Sequence, residues 1–373
     1  MIDIKELWMF QTDEPILEIE FEDVNNNGQK EVIGFSKSGK LYFISIHGKK
    51  LSVSEISENS SIWQATICDI DRDNKNEVVL GGLDGLLRAF KITSSYELKI
   101  IWTHQFGASI SGIICTDVNS DGNKEILAYS IDKSVRCLQP LDGSLLWGQL
   151  FEDGVGDAIV WEDSGNPQTL EIIACGNDGT LRSFDGKTGE LKWFKRFEDK
   201  VRCVSVVKRN NGFLIACGGD DKRFHLIDKD SLDELKSLQF NDYVWKCAPI
   251  LLDKISGLLV STYSFEYFDD NIKISDIAFN SKLICLNSDF EKIWEIKNVN
   301  VETFIQIEVF TKKFIIVGTT KGKILIIEAG SGTILIKIDK KSCVNDLKYD
   351  AELETLISCH DNGSIFAYFL GES

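Results

Sequence analysis

The chain has 373 residues, 27% of them charged, and a net charge of −17. That balance excludes the Lys/Arg surface on which nucleic-acid binding depends, and no apolar run approaches the ~20 residues of a membrane helix. The start, MIDIKELWMF, has acids among its apolar residues and ten cysteines form no CxxC pair, so a cytoplasmic protein without a signal peptide, zinc site or redox motif is expected.

In chain order the same segment recurs. EVIGFSKSGKLYFIS, EVVLGGLDGLLRAFK, EILAYSIDKSVRCLQ and EIIACGNDGTLRSFD begin at Glu31, Glu77, Glu125 and Glu171, and LIACGGDDKRFHLID, IIVGTTKGKILIIEA and LISCHDNGSIFAYFL follow. Each is an apolar run, a tight polar turn and a second apolar run. The turn positions Gly39, Gly85, Lys133 and Gly179 lie 46, 48 and 46 residues apart. Short strands repeating at this period, with no helical pattern, predict an all-β fold: a β-propeller.

First strands are predicted near Ile16, Ile62, Ile110, Val155, Val201, Val244, Val301 and Val344, which makes eight four-stranded blades in one domain spanning residues 1–373. A ring of seven would require demoting the sixth copy, which carries an insertion, yet KLICLNS and FEKIWEIK read as its third and fourth strands. The last copy supplies three strands, and residues 1–11, with the motif IKELWMFQT starting at Ile4, supply the fourth. This closure removes the exposed edge of an open ring. The outer strands carry Trp102, Trp147, Trp193 and Trp294, with Trp8 in the same position of the closing strand. An indole there packs across to the next blade. The cysteines fall at repeated strand positions and are expected to be small buried packing groups rather than disulfides.

Three loops between first and second strands stand out. They place Asp23, Asn25, Asn27 and Glu31, then Asp69, Asp71, Asp73 and Glu77, then Asp117, Asn119, Asp121 and Glu125 at positions 1, 3, 5 and 9. Oxygen ligands at that spacing converge on a cation, and Gly28, Asn74 and Gly122 suit the left-handed bend. The loops resemble the DxDxDGxxD calcium loops of FG-GAP repeats, as in integrin-α propellers, which implies structural Ca²⁺ in blades one to three. Each has Glu at position 9 where that family has Asp. The other reading is a set of Asx-turns bonded to backbone. DGKTGELKWFKRF and DGSLLWGQLF resemble the repeats of quinoprotein-type eight-bladed propellers.

No HExxH, GxSxG or Walker-type loop occurs, and the four histidines occupy unrelated blade positions. The expectation is a non-enzymatic, WD40-like scaffold that binds other proteins, as a monomer or a subunit of a complex. The alternative is a quinoprotein-like enzyme or a small-ligand binder using the central channel. The expected partner-binding residues are Tyr263, Phe265, Tyr267 and Phe268 in the blade-six insertion, with Trp63 and Trp245 on the same face. Glu18, Gln64, Asp157, Lys246 and Asp346 share a first-strand position and are expected to ring the channel mouth.

Overall fold

A computed structural model describes residues 2–25, 27–56, 61–162, 170–209, 212–252, 255–264, 281–287 and 289–372. Within them the chain forms eight antiparallel sheets of four strands each. The opening strand, β1 (Ile2–Gln11), is set aside for the last sheet. Blade 1 is β2 (Ile16–Glu22), β3 (Glu31–Ser36), β4 (Lys40–Ser45) and β5 (Lys50–Glu55). Blade 2 is β6 (Gln64–Cys68), β7 (Glu77–Gly81), β8 (Leu86–Ile92) and β9 (Leu98–Gln105). Blade 3 is β10 (Ile110–Thr116), β11 (Glu125–Ser130), β12 (Ser134–Leu138) and β13 (Leu145–Leu150). Blade 4 is β14 (Val155–Glu162), β15 (Leu170–Gly176), β16 (Thr180–Asp185) and β17 (Leu191–Arg196). Blade 5 is β18 (Val201–Arg209), β19 (Gly212–Gly219), β20 (Arg223–Asp228) and β21 (Glu234–Gln239). Blade 6 is β22 (Tyr243–Leu252), β23 (Ile255–Tyr263), β24 (Lys282–Leu286) and β25 (Lys292–Lys297). Blade 7 is β26 (Val301–Val309), β27 (Lys312–Thr319), β28 (Lys323–Glu328) and β29 (Ile334–Asp339). Blade 8 is β30 (Val344–Asp350), β31 (Thr355–His360) and β32 (Ser364–Glu372), with β1 as its outer strand.

The closure is therefore the predicted one. β1 runs antiparallel to β32 from Ile2 opposite Glu372 to Gln11 opposite Ser364. Thr12 N–H continues the ladder to Gly363 O at 2.9 Å. The sixth copy is a complete blade, and the ring has eight.

Burial follows the order of strands within a blade. The second strands β3, β7, β11 and β31 are buried at every position, because sheets cover both faces. Outer strands such as β17 and β21 are largely exposed. Eight buried apolar clusters each draw on two neighbouring blades. One joins blades 1 and 2 through Phe35, Phe43, Ile62 and Leu80. Another joins blades 8 and 1 through Ile365, Ile357, Ile16 and Ile19. Each full burial of such a side chain stabilises by roughly 1.5–3 kcal/mol, and no blade can make this core alone.

The outer-strand tryptophans lock each blade to the next. Trp102 donates its indole N–H to Pro140 O at 2.7 Å, Trp147 to Gly186 O at 2.9 Å and Trp294 to Ala329 O at 2.8 Å. Each acceptor lies in the turn before the outer strand of the following blade. Each ring rests on a glycine of that turn, Gly143, Gly189 or Gly332, all with positive φ, where a Cβ would approach the indole to within 2.7 Å. Trp193 is the exception. The turn it faces has Lys229 and Leu232 where the preceding blade has Gly186 and Gly189. Leu232 fills the space a glycine would leave, and Trp193 turns its N–H to Glu171 of its own blade at 3.4 Å. The Lys229 ammonium binds Glu171 at 2.8 Å and lies 4.5 Å from the centre of the Trp161 ring.

One expectation fails here. Cys68 of β6 and Cys115 of β10 form a disulfide between blades 2 and 3. Repeated strand positions suggested separate packing groups, but neighbouring first strands approach each other along the axis and bring these two sulfurs together. The other eight cysteines are free thiols.

Candidate functional site

The three a–b loops share one hydrogen-bond plan. The position-1 carboxylate accepts the backbone N–H of position 6: Asp23 from Gly28 at 2.8 Å, Asp69 from Asn74 at 3.0 Å and Asp117 from Gly122 at 2.7 Å. Position 3 accepts from position 5, and position 5 from position 7. Gly28, Asn74 and Gly122 all have positive φ, as the bend requires. The position-9 glutamates Glu31, Glu77 and Glu125 are buried and accept the N–H of Val24, Ile70 and Val118. Burial pushes all three carboxyls above the usual range. These are Asx-turns closed from below by a buried acid.

The centres of the loops differ. In blades 1 and 3 an amide nitrogen faces the glutamate: Asn25 Nδ2 donates to Glu31 at 3.0 Å and Asn119 Nδ2 to Glu125 at 2.9 Å. In blade 2, Asp69, Asp71 and Glu77 bring one oxygen each within 4.8 Å of one another, the only such group among the described residues. Asp69 Oδ1 is buried without a protein partner. This donor set suits a hard cation. Its centre, however, is served by Lys91, whose ammonium lies 2.6 Å from Asp71, 3.2 Å from Asp73 and 3.7 Å from Glu77. Lys91 stands opposite Glu77 on β8, a cross-strand relationship that the loop sequence does not reveal.

The axial mouth is built by a bulge near the start of the first strands. Register shifts occur between Ile16 and Glu18, Val155 and Asp157, Val201 and Cys203, Val244 and Lys246, and Val344 and Asp346, among others. A bulge twists the strand, and the inner edge of each first strand has no further strand to pair with, so side chains of the preceding blade satisfy N–H groups there. Glu18 accepts Ala65 N–H at 2.5 Å, Asp157 accepts Val204 N–H at 3.1 Å and Asp346 accepts Ile19 N–H at 3.3 Å. Lys246 reverses the polarity and donates to Glu302 O. In blade 3 the position is Gly112, and Tyr129 lies across it with its hydroxyl at the Ala158 N–H.

Four of the five expected mouth residues thus act as ties between consecutive blades. Their environment alters their chemistry. Burial and the neighbouring Asp346 push Glu18 up to about 8, and burial pushes Asp157 up to about 7. Burial also raises Asp346, against the pull of Lys348.

Two cavities open at this mouth. One of about 450 Å³ is lined by Asp157, Arg202, Cys203, Trp245, Lys246 and Cys247, among others. The second, about 280 Å³, includes Glu18, Trp63, Lys246, Glu302 and Asp346. Trp63 and Trp245 occupy the same bulge position in blades 2 and 6, so they face each other across an eight-bladed ring. Trp63 is 43% exposed. Trp245 has two close neighbours: the Arg202 guanidinium lies 5.0 Å from its ring centre and the Tyr263 ring 5.0 Å away. Arg202 is in turn held by Asp220, with Nη2 to Oδ2 at 2.7 Å. Phe265, Tyr267 and Phe268 lie outside the described residues.

A second repeated device escaped the sequence reading. The turns after the second strands carry Asp84 with Arg88, Asp132 with Arg136, Asp178 with Arg182 and Asp221 with His225, at 2.6–2.9 Å. Arg136 and Arg182 stack on Phe106 and Phe151, which end the preceding blades, at 4.1 and 4.2 Å. The signal was an Asp followed four residues later by Arg or His at these four turns. Its role is to seal one blade to the next.

Comparison with known proteins agrees on the fold. The computationally designed Ika8 protein superposes with a TM-score of 0.72 at 13% identity, over 98% of this chain and 99% of that one. Sqt1 of Saccharomyces cerevisiae gives 0.73 at 12% identity, over 99% of each chain. BamB of Moraxella catarrhalis gives 0.65 at 14%, over 98% of this chain and 97% of that one. Such identities define an eight-bladed propeller and nothing finer. Residues 43–144 match the family described as KICSTOR complex protein kaptin, and residues 140–248 match the lambda-carrageenase beta-propeller domain. No curated protein sequence matches the chain, and no FG-GAP family match was found. Among the described residues no helix is long and apolar enough to cross a membrane.

Proposed function

We propose that the protein is a non-catalytic interaction module that docks another protein on its axial mouth. The observation that carries this reading is Trp63, an indole 43% exposed at the rim of a mouth whose opposite side holds the Arg202–Trp245–Tyr263 cluster. Tryptophan, tyrosine and arginine are the residues on which interface energy concentrates. The mouth acids support the same reading, because Glu18, Asp157 and Asp346 are engaged by backbone N–H groups of the following blades. The match of residues 43–144 to a family named for membership of a complex points the same way. Calcium in the blade-2 loop, held by Asp69, Asp71, Asp73 and Glu77, would be a structural adjunct on this reading.

A photo-crosslinking amino acid placed at Trp63 in the native cell tests it. One dominant protein adduct is expected, absent when the same residue is placed at Leu51 on an outer strand. Equal labelling from both positions, or none from Trp63, overturns the reading. The cavity of about 450 Å³ favours a second one, a small-ligand binder. Native mass spectrometry of protein from its own source would then show an added mass that is lost on unfolding.

A further inference from the structure

The wall of the larger axial cavity carries two thiols on neighbouring blades, Cys203 of β18 and Cys247 of β22. Their placement follows from the bulge geometry. Glu18, Asp157 and Asp346 occupy one first-strand position and reach the residue one step further along the next blade: Ala65, Val204 and Ile19. In blade 5 the reaching position is Cys203, and the residue it reaches in blade 6 is Cys247. The two thiols are neighbours on the cavity wall. Both rest on the same strand: Cys203 Sγ donates to Gly218 O at 3.8 Å and Cys247 Sγ to Ala216 O at 3.6 Å. Neighbouring first strands already form one disulfide in this ring, Cys68–Cys115.

We propose that Cys203 and Cys247 are a peroxide-reactive thiol pair that closes a reversible disulfide between blades 5 and 6 on the cavity wall. The two sulfurs have distinct parts. Cys247 is partly exposed and lines the cavity, whereas Cys203 is 3% exposed. Burial pushes the Cys203 thiol well above its usual range, so it waits as a thiol. The Ser205 hydroxyl donates to the Cys247 sulfur at 3.6 Å and holds it at the cavity wall.

Hydrogen peroxide is small enough to enter. The Cys247 thiolate attacks one peroxide oxygen, the O–O bond breaks, and the product is Cys247 sulfenic acid with hydroxide, which takes up the proton that Cys247 gave. Cys203 then attacks the sulfenic sulfur, its proton leaves with the departing hydroxyl as water, and the S–S bond forms. Two thiols and one peroxide give one disulfide and two waters. The two electrons lost by sulfur reduce the peroxide, and a thiol reductant reverses the link by exchange.

The full-length protein is treated with hydrogen peroxide, denatured, alkylated and digested with trypsin without reduction. The expected product is CVSVVK joined to CAPILLDK, two hydrogens lighter than the sum of the peptides and lost on reduction. Free thiols fall by two from the eight of the untreated protein. In Cys203→Ala the joined peptide disappears, and Cys247 is instead labelled by dimedone as a persistent sulfenic acid. Cys247 joined to Cys175 or Cys217, or converted to sulfinic acid while Cys203 stays free, overturns the proposal. Should Cys203→Ala fail to fold, the peptide map of the unsubstituted protein decides alone.

Discussion

Trp8 donates its indole N–H to the carbonyl oxygen of Ile46, 2.8 Å away, and its ring lies on Gly48, where a Cβ would come within 2.7 Å. The contact repeats, between the two ends of the ring, the lock that Trp102, Trp147 and Trp294 make between consecutive blades. It fixes β1 as a full member of blade 8.

Removing that lock should be costly. Trp8→Ala loses a hydrogen bond and a partly buried aromatic, about 2–3 kcal/mol together, and should lower the melting temperature by several degrees. Deleting residues 2–11 also unpairs β32 along its length and should produce aggregation, because a bare hydrophobic edge recruits other chains. A truncated protein that elutes as the parent does and melts at the same temperature would refute the closure energetics.

Glu18 sets a pH dependence. Its carboxyl titrates near 8 in the fold and near 4.5 in the unfolded chain. Between those values the native state holds a proton that the unfolded state has released, so stability falls as pH rises through this window and stays reduced above 8. Asp157, raised to about 7, adds to the trend. Glu18→Gln keeps an oxygen for the Ala65 N–H and never ionises. It should match the parent near pH 4.5 and exceed it at pH 8 by at least about 1 kcal/mol. Denaturant unfolding at both pH values measures this; a constant difference between the two proteins would show that Glu18 is not held protonated.

Lys91 governs cation binding in blade 2. With its ammonium among Asp71, Asp73 and Glu77, part of the loop's negative charge is offset from within, and calcium must displace it. Lys91→Met leaves four carboxylates facing one another. The variant should melt lower than the parent in chelator and regain the difference in millimolar calcium, with a larger calcium response than the parent. A variant whose melting is indifferent to calcium would leave the loop an Asx-turn in every state.

Much of this was legible in the sequence where the cause is local. Gly39, Gly85 and Gly179 mark turns because only a positive φ fits there, so strand order and blade number followed from their spacing. Trp8 in the outer-strand position gave the closure. Contacts between blades were less visible, since they depend on how far one first strand is offset from the next. The Cys68–Cys115 bridge and the Glu18–Ala65 tie arise from that offset. Trp193 marks the boundary between the two cases. Its spacing matches its relatives, but its contact is decided by Leu232 in the following blade. The blade-2 loop was ranked by its own carboxylates, while its charge balance is set by Lys91, a strand away.

The pairing of β1 with β32 places the first and last strands side by side, with Ile2 opposite Glu372. During synthesis β1 emerges long before β32, so the strand waits, with Ile4, Trp8 and Phe10 lacking the core they pack against, until the rest of the ring has been translated. Every other blade can assemble as its own four strands leave the ribosome. The ring thus has one joint that waits for all of its other strands to be made.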